Sequence, residues 1–176
     1  AVSFLISSQR TLERDALSEA YYVISDVLKY KVFFRKSYVP GLAILSLKEN
    51  NSNPFEVMNR IREYINKEGP LIACLKIVPL ERLIKTDLSL ITEHAVSLAK
   101  LKIKPNDSWK IHVRKRQTNL RTFQVIEKVA DSINWGRVDL TDPDFEVRIE
   151  IVRNITGVTV MPPHFEISMA RLLNEI

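Results

Sequence analysis

An α+β chain of two consecutive modules is the fold this sequence predicts. Three observations carry the reading. Up to about residue 85 the apolar patterns follow the order strand, helix, strand, strand, helix, strand, and a fresh series begins at Asp87. The 45% apolar content of the 176 residues is an ordinary globular value, enough for one domain or two small ones. The four glycines, Gly41, Gly69, Gly136 and Gly157, stand alone. A phosphate cradle of the Walker or dinucleotide type needs clustered glycines, so nucleotide-driven chemistry of those types is excluded, as is a catalytic domain such as a cofactor-dependent methyltransferase.

The elements follow in order. Residues 2–7 are a short apolar run that reads as a strand. Leu12, Ala16, Ala20, Val23 and Val27 then recur at helical spacing. Residues 32–35 are strand-like, and the turn at Val39-Pro40-Gly41 precedes a third strand over 42–47. Asn53 followed by Pro54 is a helix start, an N-cap before a proline at the first helical position. Phe55, Met58, Ile61 and Ile65 supply that helix with its buried stripe; Gly69-Pro70 stops it, and residues 71–78 are a fourth strand. The order β-α-β-β-α-β is that of a split βαβ, ferredoxin-like module. In the second half Asp87 caps a helix with apolar positions Leu88, Ile91, Ala95, Leu98 and Leu101, ended by Pro105-Asn106. Residues 109–116 alternate, with Trp109, Ile111 and Val113 on one face and Lys110, His112, Arg114 and Arg116 on the other. Phe123, Ile126, Val129, Ala130 and Ile133 mark another helix, and strands follow at 138–140, 145–152 and 158–161. The expected division is 1–84, 85–165 and a tail, 166–176.

The charge is uneven. The whole chain carries +5, yet residues 100–121 hold eight basic side chains against Asp107 alone, and the remainder holds 18 basic and 20 acidic. A concentrated basic patch is the footprint of a polyanion binder. The alternating strand sets cations at every second residue, about 6.5–7 Å apart, close to the phosphate spacing of a nucleic-acid strand. Arg121 opens the next helix, where the macrodipole disfavours a cation but the free N–H groups suit an anion. The competing reading is a charged edge strand guarded against aggregation.

Other chemistry-bearing residues point to structural roles. Asp139, Asp142, Asp144 and Glu146 could form a metal-dependent nuclease site, but Asp142-Pro143-Asp144 reads better as a turn whose side chains bind backbone amides. His94, His112 and His164 lie far apart without metal-ligand spacing. The single cysteine, Cys74, allows no intramolecular disulfide and sits in an apolar strand as a small hydrophobe. Trp109 alternates with core residues and packs; Trp135, beside Gly136, is expected to be more open to base stacking. No apolar run approaches the roughly 20 residues of a membrane span, and a cytoplasmic protein is expected. The lysine- and isoleucine-rich composition suits an archaeal thermophile.

The motifs Leu75-Lys76-Ile77-Val78-Pro79-Leu80-Glu81-Arg82, Trp109 to Arg116, Val138 to Val152 and Gly157 to Pro163 together resemble a THUMP domain with the small ferredoxin-like domain that usually precedes it. That family occurs in enzymes that thiolate, methylate or pseudouridylate RNA. The resemblance implies a second module that binds tRNA and has no catalytic or metal-binding residues. The positions it carries over are Lys110, Arg114, Lys115, Arg116 and Arg121, with Asn119 in the same loop and Arg153 after the long strand. Asp139, Pro143 and Asp144 match structural positions of the family. Only 13 residues follow Pro163, so a standalone chain is expected. It resembles the THUMP adaptors that present tRNA to an RNA cytidine acetyltransferase, a partner enzyme that uses acetyl-CoA and ATP; the adaptor itself needs no cofactor. The alternatives are an RNA-binding subunit or fragment of another tRNA modification enzyme, a small nuclease, and a protein-interaction module.

Overall fold

The computed structural model describes residues 2–49 and 51–174. The chain divides into two compact units. One holds the residues up to Leu80 together with the segment from Glu166 onward; the other is Glu81–Phe165.

The first unit is a five-stranded antiparallel sheet with helices on it. Its strands are β1 (Ser3–Ser8), β2 (Val32–Arg35), β3 (Leu42–Leu47), β4 (Cys74–Leu80) and β10 (Ile167–Ser168), in the order β10-β4-β1-β3-β2. Helix α1 (Glu13–Tyr21) continues into a π-helical turn over Tyr22–Val27; α2 is Pro54–Glu68 and α5 is Met169–Asn174. α1 lies on β1, β3 and β4, and α2 packs on β4 and the π-helical turn. The apolar stripes explain this. Ala16, Ala20, Val23 and Ile24 are buried along the first helix, and Val57, Met58, Ile61 and Ile65 along the second. α2 starts where its cap predicts: the Asn53 side chain accepts from the Phe55 N–H at 2.9 Å. Gly41 has φ +80°, and a Cβ there would lie 2.9 Å from the Ser8 carbonyl oxygen, so the turn before β3 needs glycine.

The segment from Glu166, expected as a tail, instead adds β10 to the sheet beside β4, with Ile167 opposite Ile77. Ile167 and Met169 are buried. Two residues of strand and a six-residue helix carry too little pattern to be seen in sequence; their partner, β4, lies about 90 residues earlier.

The second unit has the sheet order β5-β9-β8-β6-β7, from β5 (Arg82–Lys85), β6 (Ser108–Arg116), β7 (Arg137–Val138), β8 (Phe145–Val152) and β9 (Ile155–Met161). β6 runs parallel to β7 and β8; β9 is antiparallel to β8 and β5. Helices α3 (Leu88–Lys102) and α4 (Thr122–Ser132) pack against each other and against the sheet, α3 on β8 and β9 and α4 on β6. Asp87 caps α3, accepting from the Leu90 N–H at 2.9 Å. Ile91, Ala95, Leu98, Val125, Val129, Val147, Ile149 and Val160 are among the core residues. Burying such a side chain contributes roughly 1.5–3 kcal/mol each. Two expected core positions fall outside: Leu101 is 74% and Phe123 73% exposed. In α4 the buried line runs Val125, Val129, Ile133, four residues apart. Phe123, two residues before Val125, is turned about 200° away from it.

Trp109 is 3% exposed and its Nε1 donates to the Trp135 carbonyl at 2.9 Å. Trp135, expected to be open, instead packs on the core and donates from Nε1 to the Ile103 carbonyl at 2.8 Å. Among the described residues no helix is long and apolar enough to cross a membrane.

Candidate nucleic-acid interface

The basic strand β6 lies between β7 and β8, so its polar face meets β8 side chains chosen by register. Lys110 stands opposite Glu146, His112 opposite Arg148, and Arg114 opposite Glu150. Glu146, Arg148 and Glu150 are buried, at 4%, 4% and 1% exposure. Arg148 bridges the two carboxylates: Nη1 donates to Glu146 at 3.1 Å and Nε to Glu150 at 2.8 Å. Lys110 Nζ lies 3.8 Å and His112 Nδ1 3.3 Å from Glu146, and Arg116 pairs with Glu150. Burial alone would raise the Glu146 carboxyl. The His112 hydrogen bond and the Arg148 charge outweigh it and hold the group below its ordinary 4.5. Three of the four residues of the alternating basic face, Lys110, His112 and Arg116, are therefore part of an internal ion network.

The other expected contacts gather at the C-terminal end of β6. Arg114, Lys115, Asn119, Arg121 and Arg153 are exposed there. The chain turns at Gln117 (φ 53°), and Lys115 Nζ donates to the Leu120 carbonyl at 3.1 Å, closing the loop that carries Asn119. Arg153 (φ 58°) is held beside this loop by its own N–H, which donates to the Arg116 carbonyl at 3.0 Å. Arg121 occupies the N-cap of α4 and makes no side-chain capping bond. A cation thus stands where a capping oxygen is usual, next to helix N–H groups that favour an anion. Lys110 lies about 13 Å along the strand from Arg114.

Two residues join this surface that sequence reasoning missed. Lys85, exposed, pairs in register with Ile155, and the Thr86 N–H donates to the Asn154 carbonyl at 2.9 Å, so Lys85 stands at the turn that holds Arg153. Nothing local in sequence signals this, because β5 meets β9 across some 70 residues. Phe123 is the second: its exposed ring and Arg121 line a groove of about 630 Å³ with Gln124 and Lys128. The signal for it was available in the i, i+4 phase of Val125 and Val129.

The acidic cluster behaves as a turn with a change of residue. Asp139 Oδ1 accepts from the N–H groups of Asp142 and Thr141, both at 3.0 Å, and these bonds lower its carboxyl from the ordinary value. Asp144 Oδ2 accepts from the Ser108 N–H at 2.8 Å and from its hydroxyl at 3.1 Å, tying the loop to the start of β6. Asp142 gives its backbone N–H to the turn. Among the described residues no group of three or more His, Cys, Asp and Glu is arranged to hold a metal. Asp144→Ala is expected to cost about 1 kcal/mol and lower the Tm in a thermal melt, whereas Asp142→Ala leaves it unchanged. Equal melting of the two variants contradicts this assignment. His94 Nδ1 lies 3.1 Å from Arg82. Cys74 is buried, and burial, with Glu19 nearby, pushes its thiol up to about 12, so it is unreactive.

The family model of the THUMP domain matches residues 85–161, nearly the whole second unit. Three solved structures share the fold of most of the chain. A Pyrococcus horikoshii Ot3 protein is 16% identical with a TM-score of 0.67, over 96% of this chain and 55% of its own. A 4-thiouridine synthetase in complex with RNA and ATP is 13% identical with a TM-score of 0.62, over 95% and 42%. TrmN from Thermus thermophilus is 12% identical with a TM-score of 0.60, over 91% and 45%. At these identities the likeness is one of fold, and the chain spans about half the length of each structure. A comparison with curated protein sequences gave no match.

Proposed function

We propose that this chain, with its THUMP match over residues 85–161, is a non-catalytic tRNA-binding adaptor. It presents tRNA to an RNA cytidine acetyltransferase, which forms N-acetylcytidine with acetyl-CoA and ATP. The observation that carries the binding part is the gathering of exposed Arg114, Lys115, Arg121 and Arg153 at one end of the second sheet, beside the uncapped start of α4. Their charge suits phosphates, and the exposed Phe123 ring offers a base a stacking surface. The adaptor part rests on the resemblance of the chain to the THUMP adaptors; the side chains of Asp139 and Asp144 bind backbone amides, and Cys74 is buried. The first unit's element order and its inner strand order β4-β1-β3-β2 support reading it as the ferredoxin-like module. The cytoplasm, where tRNA is modified, is the place this role implies.

A second reading is favoured by the span of the structural relatives. A thiouridine synthetase bound to RNA is among them, and the chain covers less than half of it; the chain would then be the RNA-binding part of a thiolating, methylating or pseudouridylating enzyme. The nucleoside content of tRNA from cells lacking the chain separates the two. Loss of N-acetylcytidine alone is the expected result. Loss of a thiolated or methylated nucleoside instead supports the second reading, and an unchanged profile removes both.

A further inference from the structure

Among the described residues the strand β2 is the outer edge of the first sheet, paired only with β3. An edge strand presents a row of backbone N–H and C=O groups to any added strand. The segment around it reads Lys29-Tyr30-Lys31-Val32-Phe33-Phe34-Arg35-Lys36-Ser37-Tyr38: four cations, no carboxylate, and two consecutive phenylalanines. Such an apolar, β-prone edge is a hazard unless charge or a partner covers it.

Where β2 ends, a groove of about 400 Å³ opens between it and α1. Its walls are largely carbon, from Leu17, Phe34, Tyr38, Pro40 and Leu42, with Arg14 at the rim. Phe34 is 52% and Tyr38 69% exposed. The groove's carboxylate, Glu13, accepts from the Gly41 N–H at 2.6 Å. Arg35, which also lines the groove, lies over the Phe33 ring, 4.9 Å from its centre, and its Nε donates to the Ser46 hydroxyl at 3.2 Å.

We propose that β2 is a docking edge for an extended, acidic peptide segment of a partner protein, which adds as a strand beside β2 and seats an apolar side chain in the groove at its end. Strand addition supplies the main-chain bonds, and the groove and cations supply the selectivity. Charge complementarity selects the acidic character. RNA would satisfy the cations but has no backbone to continue the ladder, and the carbon walls suit an apolar side chain better than a ribose. This surface gives the adaptor reading a place for its enzyme, and it rests on that reading only for its purpose.

The test uses the full chain and fluorescein-labelled peptides at low salt: (Val-Glu)4, the same peptide N-methylated at every residue, and (Val-Lys)4. Saturable binding of the first is expected, weakened at least tenfold by N-methylation, by the lysine exchange, and by Phe34→Ser or Tyr38→Ser. Both side chains are exposed, so the variants fold. Their tRNA affinity is expected to be unchanged, which keeps this proposal separable from the RNA reading. No saturable binding, equal binding of the methylated peptide, or indifference to both substitutions overturns it. Displacement of the peptide by oligouridylate also overturns it and assigns the groove to RNA.

Discussion

Replacing Arg148 by alanine is expected to destabilise the second unit by about 3–5 kcal/mol, the cost of leaving buried carboxylates without their partner. Arg148 is 4% exposed and bridges Glu146 and Glu150, themselves nearly inaccessible. Arg116 and His112 reach the same carboxylates, but only from one side each. Urea unfolding followed by tryptophan fluorescence reads this unit alone, since both tryptophans, Trp109 and Trp135, lie in Glu81–Phe165. Arg114→Ala, at an exposed position, serves as control and is expected to stay within about 0.5 kcal/mol. The loss should depend on pH. The Glu146 carboxyl is held below 4.5 in the folded protein, so the stability it contributes is present above that value and is lost as pH falls through its lower folded value. The variant lacks the Arg148 charge and therefore much of this contribution. The gap between the two proteins is expected to narrow as pH falls below about 4.5. A gap that is small at neutral pH, or that widens in acid, contradicts the network as described.

The salt dependence of tRNA binding is expected to change most when Arg114, Lys115 and Arg121 are replaced together by alanine. Each phosphate neutralised by a cation releases condensed counterions, so three lost contacts flatten the slope of log affinity against log salt by about 2–2.5 units. Arg116 is left in place because it pairs with buried Glu150, and its removal would confound binding with stability. Lys115→Ala gives up one exposed bond to the Leu120 carbonyl, a loss of about 1 kcal/mol or less. Arg10, Lys48 and Lys67, exposed in the first unit, replaced together, control for total charge. If that triple flattens the slope equally, the protein attracts RNA through net charge and the cluster at the end of β6 is no site. Phe123→Ala should lower affinity without altering the slope, because stacking releases no ions.

What the sequence by itself determined is local. Short apolar runs between turn signals placed β1 to β4 and β8, alternation placed β6, and the 3.6-residue period placed the helices α1 to α4, all to within a few residues, because these patterns are set by which side chains face a core within one element. The caps Asn53 and Asp87 were legible for the same reason: a capping side chain bonds its own first turn. The concentration of charge between residues 100 and 121 needed only counting. Tertiary structure decided the rest. Whether a cation on β6 is open or ion-paired depends on β8, 34 residues away in the case of His112 and Glu146. No window on β6 contains that information, and so Lys110 and Arg116 looked like Arg114 until register was known. Lys85 entered the cluster through the β5–β9 pairing, and the segment from Glu166 joined the first sheet through β4. Both are contacts between short strands far apart in the chain, whose pairing is chosen by the free energy of the whole sheet and not by any pattern a strand of two or four residues can carry.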